Sequence, residues 1–144
     1  MIERILLILG HSTNIDNFIA LVDKLQGPSS SVTVLNIIDS GWKNILGDEW
    51  ISNATTRNNF FQYMENNYYR EAVKGNDAFS KWAEGKGITL NPLIKIGVPQ
   101  KIVMATFTEF GPFDIVILPT GGTINLKAET LADKLGCPII INPV

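Results

Sequence analysis

Two short stretches of this 144-residue chain hold the side chains best suited to chemistry. The first is "GHST", where Gly10 precedes the only histidine, His11, and the hydroxyls of Ser12 and Thr13 follow. An imidazole with an ordinary pKa of about 6.5 suits a general base or a pH-sensitive ligand contact. Adjacent residues seldom face each other as a catalytic pair, so a plain loop or capping role competes with catalysis and is the simpler reading. The second stretch is "PTGGTINLK". Thr120, Gly121, Gly122 and Thr123 can gather backbone N–H groups and hydroxyls around a phosphate, at the positive end of a following helix. Lys127 would add charge there, although a cation in a first helical turn opposes the dipole unless an anion is bound. The competing reading makes the glycines a turn and Thr123 or Asn125 the helix N-cap, worth about 1 kcal/mol.

Composition narrows the chemistry further. Twelve basic residues against fourteen acidic ones give a net charge of −2. With no global basic field, neither a nucleic-acid nor an anionic-lipid partner is expected. The apolar run Ile5 to Leu9 is too short for a signal-peptide core or a membrane span, and Glu3 precedes it. A cytoplasmic location without membrane association is the default expectation. Cys137 is the only cysteine, so no intramolecular disulfide forms, and one Cys with one His leaves no dedicated zinc site. No metal is expected. The length and the 45% hydrophobic content fit a single domain spanning 1–144.

Strands alternating with helices must position these residues. "RILLILG" is an unbroken apolar run ended by glycine, the pattern of a strand buried on both faces. A helical stripe of Ile15, Phe18, Ile19, Val22 and Leu25 follows, then the β-branched strand "SVTVLNIID". Segment 40–57 shows no clear period. Its Trp42, Ile45, Leu46, Trp50 and Ile51 can form a lid, a dimer surface or a satellite core, with core packing the simplest. Apolar spacing predicts a long helix over 58–86, weakened or kinked near Gly75. "GITLNPLIKIG" is a strand whose Pro92 points to a sheet edge. Pro99 opens a helix burying Ile102, Val103, Thr106, Phe107 and Phe110. "PFDIVILPT", "INLKAETLADKLG" and "CPIIINPV" supply a strand, a helix and a last strand. This order implies an α/β fold: a three-layer sandwich with helices on both faces of a five-stranded, mostly parallel sheet.

Four of these pieces, "ILLILGHS", "IKIGVPQKIV", "FDIVILPTGG" and "AETLADKLGCPIIINPV", occur in the order and spacing of one known family. The chain resembles the universal stress proteins over nearly its whole length. The resemblance implies the adenine nucleotide alpha hydrolase-like fold, with strand order 3-2-1-4-5. Ligands then bind where the strand order reverses, between the first and fourth strands. The loops at 10–14 and 119–123 would face each other there, with Gly97 and Val98 on the further wall.

Many members of that family bind ATP at this place through Gly, two residues, Gly, nine residues, then Gly followed by Ser or Thr. Counted from Gly121, the second glycine is Ile124 and the final pair Lys134-Leu135. Counted from Gly122, these become Asn125 and Leu135-Gly136. Both registers fail, so the phosphate loop is shortened. The family's aspartate ending the first strand is Gly10 here, and its acidic residue between Gly and Pro is Val98. ATP or AMP as a cofactor is therefore disfavoured. The resemblance implies a binding or regulatory module, taking a small anion, a nucleoside monophosphate or a protein partner, more readily than an enzyme. It also implies a homodimer through the last strand, Ile139, Ile140 and Ile141. The enzymatic alternative is slow hydrolysis of a phosphate ester or anhydride, with His11 as base.

Overall fold

The computed structural model describes residues 3–10, 15–25, 31–39, 54–119 and 128–142, with the backbone alone at 39, 54–61, 119, 128–130, 141 and 142. Strands and helices alternate as β1 (Arg4–Leu9), α1 (Ile15–Leu25), β2 (Ser31–Asp39), α2 (Ala54–Ala83), β3 (Thr89–Gly97), α3 (Pro99–Phe110), β4 (Ile115–Pro119), α4 (Ala128–Leu135) and β5 (Ile139–Asn142). The strands form one sheet in the order β3-β2-β1-β4-β5, with every neighbouring pair parallel.

Burial explains the strand sequences. β1 lies at the centre, and Ile5 to Leu9 are all fully buried, because both faces of the sheet are covered. Leu7 and Leu9 meet Phe18 and Val22 of α1 and Phe79 of α2 on one face. Leu6 and Ile8 meet Val103 of α3 and Leu131 of α4 on the other. The α1 stripe lands as its spacing requires, with Ile15, Ile19 and Leu25 packed around buried Phe18 and Val22. β3 takes the sheet edge, where Pro92 lies opposite Val34 and its missing N–H costs no ladder bond on the open side.

Gly75 does not interrupt the helix. α2 runs unbroken for 30 residues and begins before 58, within the stretch that lacks apolar periodicity. Gly75 is buried where α2 faces Ile15 of α1 and Asn36 of β2. A Cβ there would lie 3.3 Å from Ile15 Cδ1 and 3.9 Å from Asn36 Oδ1. The glycine answers a packing demand, which outweighs its helix-propensity cost of about 1 kcal/mol.

The buried residues of α2 among those described are Ala72, Gly75, Asn76, Phe79 and Ala83, all in its second half. Asn36 Nδ2 donates to Asn76 Oδ1 and so sets the level of the helix on β2. From Asn76 back to Ala54 the helix rises about 33 Å, whereas β2 continues only about 10 Å beyond Asn36. The first half of α2 therefore extends beyond the carboxyl end of β2, reaching roughly 20 Å above it at Ala54. At the other end, Lys86 Nζ lies 2.8 Å from Asp23 Oδ1, and Trp82 Nε1 donates to the same oxygen at 3.2 Å. That cluster ties the end of α2 to α1.

At the amino end of the sheet, Asp114 fastens β4 to β1. Its Oδ2 accepts the backbone N–H groups of Glu3 and Arg4, each at 2.9 Å, and its own N–H donates to the Arg4 carbonyl at 2.8 Å. The Arg4 guanidinium donates to the Phe110 carbonyl and lies over the Phe113 ring at 5.5 Å. The Glu3 and Arg4 N–H groups hold the Asp114 carboxyl below its ordinary value of 3.8. A depressed carboxyl stabilises the fold above its unfolded pKa and loses that contribution as pH falls through the folded one. Asp114→Asn should therefore flatten the acid side of the stability–pH curve below about pH 4. Chemical denaturation across pH 2–6 checks this; an acid slope identical to the wild type's would contradict it.

Candidate functional site

Parallel strands place all their carboxyl ends on one edge, and each returning helix starts there. β1 is where the order reverses. Its outgoing chain leads to α1 on one face, while the chain leaving β4 leads to α4 on the other. Leu7 lies opposite Ile117, so the same register places Leu9 level with Pro119, the last residue of β4. The two chains thus leave side by side, about 4.8 Å apart, and open a crevice between diverging helices. The amino ends of α1 and α4 abut this edge and bring the positive ends of their dipoles to it. Such an arrangement favours an anion. Asp16, in the first turn of α1, complements that dipole itself.

Gly10 leaves β1 half-buried at the mouth of the crevice. Gly97 and Val98 stand farther off. Asn36 lies opposite Leu9, and Gly97 lies opposite Asp39, three residues higher. The β3–α3 turn is therefore displaced by about 10 Å along the strands and two strand spacings, roughly 10 Å, across them. Gly97 has φ 153°, a backbone conformation that favours glycine. Val98 is the N-cap of α3, makes no side-chain capping hydrogen bond, and is 51% exposed. His11, Ser12, Thr13, Thr120, Gly121, Gly122, Thr123 and Lys127 lie outside the described residues, as do Trp42, Ile45, Leu46, Trp50 and Ile51.

Two further polar residues escaped the sequence reading. Asn36 and Asn76 are 5% and 9% exposed and bond to each other beneath the carboxyl edge. Their signals were present: one asparagine interrupts the apolar run "VTVLNII", and the other falls on the helical stripe between Ala72 and Phe79. Cys137 is half-buried against the α3/α4 face, and burial pushes its thiol up from the ordinary value, consistent with a small apolar packing role. Among the described residues no three His, Cys, Asp or Glu side chains gather as metal ligands. No described helix is long and apolar enough to cross a membrane.

No protein-family model matches the chain, and neither does any curated protein. Solved structures match over its full length. Universal stress protein UspA from Lactobacillus plantarum superposes with a TM-score of 0.71 at 15% identity, over 97% of each chain. The fold is that of the universal stress proteins. The hypothetical protein MJ0577 gives a TM-score of 0.72 at 20% identity, covering 100% of this chain and 97% of its own. A universal stress protein family member from Burkholderia pseudomallei gives 0.52 at 16% identity, over 99% and 96% of the two chains.

In this universal-stress fold Val98 occupies a helix N-cap, a place where an acidic side chain would both cap α3 and stand above the crevice wall. Val98→Asp should raise stability by about 1 kcal/mol, since Asp at an N-cap accepts a first-turn N–H and Val does not. Urea titration checks it; a loss of stability would contradict the cap geometry.

Proposed function

We propose that this chain is a universal-stress-type binding or regulatory protein whose β1/β4 crevice takes a small anion or a nucleoside monophosphate rather than ATP in the family's usual mode. The observation that carries this reading is the pairing of β1 with β4 at the order reversal. It sets two helix amino ends beside Gly10, while neither Gly10 nor Val98 supplies a carboxylate to hold a nucleoside. Without those acceptors, and with the glycine register after Gly121 shortened, a triphosphate loses contacts at both of its ends. The remaining features suit one phosphate-sized charge, held by Thr120, Gly121, Gly122, Thr123 and Lys127 from one side and Gly10, His11, Ser12 and Thr13 from the other. Gly97 and Val98 contribute a wall of backbone and apolar surface.

Isothermal titration of the full chain with magnesium ATP, AMP and inorganic phosphate tests the reading. AMP or phosphate should give saturable heat, and ATP should bind no more tightly than AMP. Low-micromolar ATP affinity with AMP far weaker would overturn it.

The same proposal includes a homodimer formed through β5. Among the described residues β5 pairs only with β4, so its outer edge offers backbone groups to a second strand. Ile139 and Ile140 are half-buried, one toward each face, and Ile141 continues the strand. A second copy of β5 would close that edge by two-fold symmetry. Light scattering should give twice the 15.9 kDa of one chain; a monomer at tens of micromolar would contradict it.

A further inference from the structure

Beside the end of β1 three elements meet at one point: Asn36 on β2, Gly75 and Asn76 on α2, and Ile15, the first residue of α1. Asn36 lies opposite Leu9, so it marks the level at which the chain leaves β1 toward Gly10. Ile15 Cδ1 approaches within 3.3 Å of where a Gly75 Cβ would stand, so α2 limits how far the first turn of α1 settles toward the sheet. The asparagines share a buried hydrogen bond that fixes the height of α2. Ile15, one end of the first crevice loop, thus packs against this knot, and Asn36 lies level with Leu9, the residue before Gly10 at the other end. A buried amide pair is an unusual choice for such a place, since two apolar residues of similar size would pack there without desolvating polar groups. What the amides add is direction, because a hydrogen bond admits one register of helix on strand and apolar contact admits several.

We infer that Asn36, Asn76 and Gly75 are positioning residues for the crevice, setting the amino end of α1 against the end of β1 and so the affinity of the anion site. The inference rests on the proposed reading of that site, but its structural half does not need a ligand. Gly75→Ala introduces a methyl group that must push Ile15 by a few tenths of an ångström. The helix gains about 1 kcal/mol of propensity to offset the crowding, so the fold persists. Asn76→Ala strands the Asn36 amide and is the more disruptive variant.

The test uses amide ¹H–¹⁵N spectra of the full chain, with inorganic phosphate as the probe. Gly75→Ala should leave the thermal midpoint nearly unchanged and displace the resonances of Gly10, Ile15 and Asn17. Tyr63→Ala, at a 63% exposed site on the same helix, should displace none of them. Phosphate should bind Gly75→Ala roughly threefold to tenfold more weakly than wild type, the scale of one imperfect hydrogen bond. Unmoved Gly10 and Ile15 resonances in a folded Gly75→Ala protein would overturn the inference, as would shifted resonances with unchanged phosphate affinity. Should wild type show no phosphate binding, the reading of the site falls, while the resonance shifts still decide whether the knot sets the geometry.

Discussion

The molecule depends on one central strand having no solvent side. β1 has β2 and β4 along its edges and helices over both faces, so Ile5 to Leu9 are all fully buried. Each parallel neighbour must be reached by a crossover, and crossovers leaving β1 and β4 pass to opposite faces. The crevice follows from that divergence. It is a gap that the chain path makes unavoidable, already edged by backbone donors, before any side chain is chosen for it.

What a protein does with such a gap depends on small additions around its rim. Carboxylates and a long glycine loop would suit a nucleoside and several phosphates. Gly10 and Val98 offer no side-chain charge or acceptor, and Val98 leaves the start of α3 without a side-chain cap. On the proposed reading, a rim lacking these groups keeps the positive helix ends and loses the features that would measure a triphosphate. The tall first half of α2 adds an asymmetric feature. It rises above the carboxyl end of β2, and its level is set by the buried Asn36–Asn76 bond.

Much of this architecture was legible in the residues, and for physical reasons. Doubly buried strands must read as unbroken apolar runs, and an edge strand alone tolerates Pro92, so strand order followed from pattern and resemblance together. Helix α1 announced itself through a clean stripe. At Gly75 a local propensity argument met a tertiary demand it does not contain. Glycine at a close approach and glycine at a kink look alike in sequence, and only the 3.3 Å approach of Ile15 separates them. The Asn36–Asn76 pair was missed for the same reason, since its partners lie 40 residues apart. Of the candidate site, the place was legible through topology. Gly10 follows the carboxyl end of β1, and Gly97 and Val98 lie at the carboxyl end of β3, two strands away.

The central claim is that this crevice is built for less than a triphosphate. Native mass spectrometry of the freshly purified full chain, with no nucleotide added, addresses it most directly. The account predicts protein whose bound mass, if any adduct persists, corresponds to a phosphate-sized anion or a nucleoside monophosphate. A stoichiometric adduct of ATP mass would contradict it.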